Sequence, residues 1–187
     1  MASHAQKIIL LALILAIAVP ISKCGEEESS RRLEDLCSET NRSSKCRNIL
    51  KSNWNRFNLS DDRAVAGVVV ALAIAKSEEI YDEIYRHHLD SGDEWLKSKY
   101  LSCAINFYDA NCNLEMARRT LDFDEFPDIS DDVDDVEEKV MSCRREFREE
   151  SLDPGRAGDS SEEIGLYLEM IRAAVGRVPK EEEEALI

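Results

Sequence analysis

The chain has 187 residues, 39 acidic and 24 basic, for a formal charge of −15 at pH 7. That balance excludes nucleic acid and anionic membrane surfaces as expected partners and favours a basic one. Its hydrophobic content of 43% can fill a core, while seven glycines and four prolines are too few for the turn roughly every 8–12 residues that an all-β sandwich requires.

Lys7 precedes an unbroken apolar run from Ile8 to Val19, closed by Pro20. This run is shorter than the roughly 20 residues a bilayer-spanning helix needs. A weakly basic start, a short apolar stretch and small residues make residues 1–24 a secretory signal peptide, with cleavage expected between 18 and 24 and Ala16-Ile17-Ala18 as one candidate site. No membrane association is expected after cleavage, because the next wholly apolar stretch, Ala64 to Ala75, is short and flanked by charge. About 160 residues then remain, enough for one domain with its own core.

Residues 28–59 read as a small module of short helices. Leu33, Leu36, Ile49, Leu50, Trp54 and Phe57 supply its apolar surface. Residues 60–178 read as four longer helices. The first starts at the capping run Ser60-Asp61-Asp62, passes through the apolar stretch Ala64 to Ala75, and ends near His88. Being apolar nearly all round, it is the expected most buried member. Asp90-Ser91-Gly92-Asp93 closes it and can cap the second. There Leu96, Tyr100, Cys103, Phe107, Ala110, Leu114, Ala117 and Leu121 recur in alternating steps of four and three. The third, begun by Pro127, carries Ile129, Val133, Val136, Val140, Cys143 and Phe147 with the same alternation. The fourth follows Pro154-Gly155, with Ser160 or Ser161 as its expected cap, and carries Ile164, Leu168, Ile171 and Val175. Such stripes are what antiparallel helices in a bundle present to one another. Residues 179–187 form an acidic tail.

Secretion implies that the six cysteines pair where geometry allows, though six permit 15 connectivities. Cys37 and Cys46 can tie a helical hairpin. Cys103 and Cys143 lie on the facing seams of the second and third long helices, about equally far from the loop between them, so their sulfurs can meet. Cys112 is off the seam, which makes it a free thiol or a partner for Cys24 if that residue survives cleavage. In a secreted chain Asn41 and Asn58, each in an Asn-x-Ser sequon, become candidate glycosylation sites.

Cys37-x8-Cys46, the apolar helix from Asp61 to Ala75, the run Leu101-Ser-Cys103-Ala-Ile-Asn-Phe-Tyr108-Asp109-Ala110, and Met141-Ser-Cys143-Arg-Arg-Glu-Phe147 together resemble the plant invertase and pectin methylesterase inhibitor domain. The resemblance covers residues 28–178. It implies an N-terminal helical hairpin before an up-down-up-down four-helix bundle, with Cys37–Cys46 and Cys103–Cys143 paired and a further cysteine free. It also implies a protein of the plant apoplast, or of the vacuole, that covers the substrate cleft of a secreted carbohydrate-active enzyme. Asp124, Glu125, Phe126, Pro127 and Asp128, between the second and third bundle helices, are the implied contact region. Invertase inhibitors often carry Pro-Lys-Phe there, and this chain has no lysine in that stretch. The first expectation is therefore inhibition of pectin methylesterase, with cell-wall or vacuolar invertase as the alternative. Where the family usually has small residues before its last paired cysteine, this chain has Val133-Asp-Asp-Val-Glu-Glu138.

No enzyme activity is expected. The sequence has no Gly-x-Ser-x-Gly elbow, no His-Glu-x-x-His pair and no glycine-rich phosphate loop. His87 and His88 are adjacent, and neighbours on a helix diverge too far to chelate one metal. Asp131, Asp132, Asp134 and Asp135 lack the glycine of an EF-hand loop, so neither metal nor cofactor is expected. A reading from another class is a diverged extracellular bundle with a structural or apolar-ligand-carrying role. Phe107, Leu114 and Phe147 speak against it by filling the space a ligand would need.

Overall fold

A computed structural model describes residue 28 and residues 30–53, 61–123, 129–147 and 157–178. The expected signal peptide, Cys24, Asn58, the contact stretch Asp124 to Asp128 and the acidic tail lie outside the described residues. Among the described residues six helices carry the fold: α1 over 30–38, α2 Ser43–Asn53, α3 Asp62–Asp90, α4 Glu94–Asp122, α5 Ile129–Glu146 and α6 Ala157–Val175. The α1–α2 pair is a hairpin. Helix α3 packs on α4 and α6, and α5 packs on the same two, so α3 to α6 close a four-membered ring in up-down-up-down order.

The two longest helices are capped as their sequences dictate. The Asp61 carboxylate accepts from the Ala64 amide at 2.8 Å at the start of α3. Asp93 does the same for Trp95 and Leu96 at 2.9 and 3.0 Å at the start of α4. Each satisfies amides that have no partner within the helix. The Arg63 guanidinium closes the far end of α4, donating to the carbonyls of Leu121 and Asp122 at 3.1 Å. A cation there also complements the negative end of the helix dipole.

The alternating stripes form the core. On α4, Tyr100, Cys103, Phe107, Ala110, Leu114, Ala117 and Leu121 are buried, with Leu96 packed at the edge. On α5, Ile129, Val133, Val136, Val140 and Cys143 are buried, and Phe147 follows them inward. Cys103 and Cys143 are bridged across the α4–α5 seam with Cα atoms 4.4 Å apart. Cys37 and Cys46 are bridged within the hairpin at 5.6 Å.

Two expectations are corrected. The most buried helix is α6, not α3. Leu166, Tyr167, Leu168, Met170, Ile171, Ala173 and Ala174 are all buried, whereas Val68, Ala71 and Leu72 of α3 are half-exposed and Ala75 is exposed. The cause is the hairpin, which lies over α6 and covers faces beyond the seam. Asn41 donates its backbone N–H to the Glu169 carboxylate at 2.9 Å, Arg42 donates to the Glu162 carbonyl at 2.9 Å, and Arg177 pairs with Glu39. The α6 helix also begins earlier than its expected cap. Ala157 is already helical and fully buried, so Ser161 falls a turn inside. Its hydroxyl donates back to the Ala157 carbonyl at 3.1 Å and touches the Cys143 sulfur at 3.6 Å.

Candidate functional site: the outer face of α4

The described residues hold no group of three or more His, Cys, Asp or Glu side chains able to bind a metal. His88 Nδ1 lies 2.9 Å from the Lys97 carbonyl and the His87 ring rests on Tyr100 at 5.4 Å, so both histidines join α3 to α4. Four side chains between Thr120 and Glu138 are spent on the fold: Thr120 bonds Asp132 at 3.1 Å, and Arg172 bonds Asp134 and Glu137 at 2.7 and 2.6 Å. The acidic start of α5 thereby fastens α5 to α4 and α6.

Among the described residues, five of the exposed large hydrophobic side chains fall on one side of α4. Leu101, Ile105, Tyr108, Cys112, Met116, Arg119 and Phe123 are all exposed. At 100° per residue they fall within a single narrow row, diametrically opposite the buried seam. Phe123 is 74% exposed, Tyr108 58% and Ile105 54%. The row carries one cation and no anion, on a chain with a charge of −15. Beside it, Tyr108 leans on Tyr81 of α3 at 6.4 Å, and Tyr81 stacks on Tyr85 at 5.9 Å. Tyr81 and Tyr108, with Asn111, Cys112, Met116 and the acidic Glu78, Asp82 and Glu115, border an open groove of about 660 Å³ between α3 and α4.

The face is held rigid from behind. Cys103 anchors the seam side of α4 to α5. Lys99 pairs with Glu146, which also accepts from Ser102 at 3.1 Å, and Lys139 pairs with Asp109 at 3.0 Å. The Lys99 hydrogen bond outweighs partial desolvation and, with Ser102, holds the Glu146 carboxyl below its ordinary range. On the opposite side of the bundle, burial works to lower the Lys76 ammonium, but hydrogen bonds to Glu163 and Glu79 prevail and hold it above its usual value. Burial, opposed by Lys76 and reinforced by Glu163 and Glu79, pushes the Tyr167 hydroxyl up.

Of the residues singled out by sequence, Cys37, Cys46, Cys103 and Cys143 are brought together in the two bridges. Cys112 is an exposed free thiol. Asn41 is exposed in the turn between α1 and α2, where its Nδ2 donates to Glu169 at 3.2 Å. The contact stretch Asp124 to Asp128 lies outside the described residues, but both its ends are placed: Phe123 projects from the end of α4, and Ile129 is buried at the start of α5. The outer row of α4 is a second stripe, distinct from the core seam. Its signal was present, since the row repeats the spacing of the seam on the other side of the same helix.

The fold has close counterparts. A mutant form of a pectin methylesterase inhibitor from Arabidopsis superposes with a TM-score of 0.66 at 16% identity, covering 79% of this chain and 97% of that one. A pectin methylesterase inhibitor from Arabidopsis thaliana gives 0.59 at 19% identity, covering 80% and 97%.

The chain has the fold of a pectin methylesterase inhibitor.

No protein-family model matches the sequence, and no curated protein matches it. The likeness is therefore one of architecture: hairpin, four-helix ring and near-complete coverage of both inhibitor chains.

Proposed function

We propose that the protein is a secreted inhibitor of pectin methylesterase that acts by stoichiometric steric blocking, docking through the outer face of α4 and the adjoining α4–α5 connection. The observation that carries the reading is a solved inhibitor fold presenting, on a helix stapled from behind, a long exposed row with an aromatic flank. An inhibitor of this kind needs no reacting group, only a rigid complementary surface. Exposed Tyr and Phe at a position that orders little on binding are suited to that role.

The surrounding acid serves encounter. Exposed carboxylates titrate near about 4, so most stay ionised in a mildly acidic wall and steer the chain towards a basic enzyme. Export through the secretory pathway accounts for both bridges, for the apolar leader and for Asn41 as a glycan site. No described helix is long and apolar enough to cross a membrane.

The test is a panel of surface variants assayed against pectin methylesterase and, separately, acid invertase. Phe123→Ala and Ile105→Lys should weaken inhibition of the esterase at least tenfold without lowering Tm. A Glu34→Gln change on the exposed side of α1 should leave it unaltered. Inhibition of invertase alone would reassign the target, and equal potency of all variants would remove α4 as the docking face.

A further inference from the structure

The outer row of α4 has a symmetry that docking to an unrelated enzyme does not require. Its positions are 101, 105, 108, 112, 116, 119 and 123, separated by steps of 4, 3, 4, 4, 3 and 4. The series reads the same in both directions, and its centre is the exposed free thiol Cys112. We propose that this face also binds a second copy of the chain, α4 antiparallel to α4, with the two Cys112 residues on the two-fold axis joined by a disulfide.

Antiparallel pairing about position 112 sets each residue opposite the one equally far on the other side. Tyr108 meets Met116 of the copy, Leu101 meets Phe123, and the Arg119 stem lies over Ile105. Every pairing is apolar or aromatic with aliphatic, and the methionine–aromatic contact is a favourable one. No carboxylate stands in the row between Leu101 and Phe123; Glu115 beside it is already paired with Arg118 at 2.7 Å, and Glu94, two turns before Leu101 on the same face, lies outside the paired span.

The area agrees. Leu101, Ile105, Tyr108, Met116 and Phe123 are between 39% and 74% exposed. At roughly 150–250 Å² for a whole large side chain, they offer about 400–700 Å² per copy and about 800–1,400 Å² for the pair. That reaches the lower edge of a stable specific interface and the upper end of what a monomer's largest patch leaves bare. A covalent link at the axis suits an interface of this size. The helix geometry permits it: packed helices lie about 8–10 Å apart with Cα atoms about 2.3 Å off each axis, which brings facing Cα atoms to disulfide range. The same helix already makes such a link on its other side, where Cys103 and Cys143 bridge antiparallel α4 and α5 with Cα atoms 4.4 Å apart.

The bond forms by exchange with a low-molecular-weight disulfide such as oxidised glutathione. The thiolate of one Cys112 attacks a sulfur of that disulfide and releases one thiol. The Cys112 thiolate of the copy then attacks the protein sulfur of the mixed disulfide and releases the second. Two protein thiols and one small disulfide give one protein disulfide and two small thiols. The dimer covers the face assigned above to the enzyme, so dimerisation should silence inhibition; this consequence, unlike the dimer itself, rests on the proposed function.

The test is oxidation of the secreted protein with oxidised glutathione, read by non-reducing electrophoresis and light scattering. A dimer that mild reduction returns to monomer, and that Cys112→Ser abolishes, is expected. The register is checked in the Cys112→Ser background. Tyr108→Cys and Met116→Cys should each stay uncrosslinked alone, since like positions lie about 12 Å apart along the axis. Mixed together, they should crosslink. A monomer with Cys112 still open to alkylation, Cys112 joined to Cys24 of the same chain, or equal crosslinking of each variant alone overturns the proposal. A dimer as inhibitory as the monomer removes the silencing. If neither species inhibits while the dimer forms in register, the functional reading fails and the interface stands.

Discussion

Removing the two bridges one at a time should separate the contribution of loop length from that of packing. The Cys103–Cys143 bridge spans 40 positions of sequence and Cys37–Cys46 spans nine. All four cysteines are fully buried, so replacing either pair by alanine removes comparable contacts. The difference lies in the unfolded chain. Loop-closure entropy gives about 4 kcal/mol for the longer bridge and about 2.7 kcal/mol for the shorter. For a domain of this size each kcal/mol moves the midpoint by about 2–4 °C. Cys103→Ala with Cys143→Ala should therefore melt about 8–16 °C below the parent, and Cys37→Ala with Cys46→Ala about 5–11 °C below it. Thermal and urea unfolding followed by circular dichroism measures both. Equal losses, or a larger loss for the hairpin pair, would refute the view that these bridges act through the length of the loop they close.

Phe107→Ala, at a fully buried position on α4, should cost about 3–5 kcal/mol in urea unfolding, because the neighbouring helices cannot collapse into the space. Asp61→Ala should cost about 1 kcal/mol by leaving the Ala64 amide at the start of α3 without its acceptor, and Asp61→Asn should restore most of it. Glu146 supplies a pH test. Its folded value lies below the unfolded 4.5, so its pairing with Lys99 contributes fully above that value and is lost as pH falls through the lower folded one. Glu146→Gln should flatten the decline of the urea midpoint below about pH 4.5 and leave the curve between pH 6 and 8 parallel to the parent's.

The bundle was legible in the sequence because its helices are long and each seam is sustained over several turns. Tyr100 to Leu121 and Ile129 to Cys143 point inward as their spacing requires. The caps at Asp61 and Asp93 were legible for a different reason, the need of the first amides for a side-chain acceptor. Burial depth was not. The apolar stretch Ala64 to Ala75 promised the most enclosed helix, but depth depends on what packs on the second side, and the hairpin covers α6. The start of α6 was misplaced because Ser160 and Ser161 read as caps, while the buried Ala157 extends the helix. Arg63, which closes α4 from 58 positions away, left no local signature. The outer row of α4 has the same spacing as a core seam, so spacing alone does not tell which of the two stripes on that helix faces solvent.

Titration of a pectin methylesterase with the reduced-at-Cys112, monomeric protein tests the central claim most directly. At mildly acidic pH and low salt, activity should fall linearly to near zero at one inhibitor per enzyme, and the two should co-elute as a complex. Full esterase activity at several-fold excess across several isoforms, with the protein folded and both bridges intact, would contradict the inhibitor reading and leave only the fold.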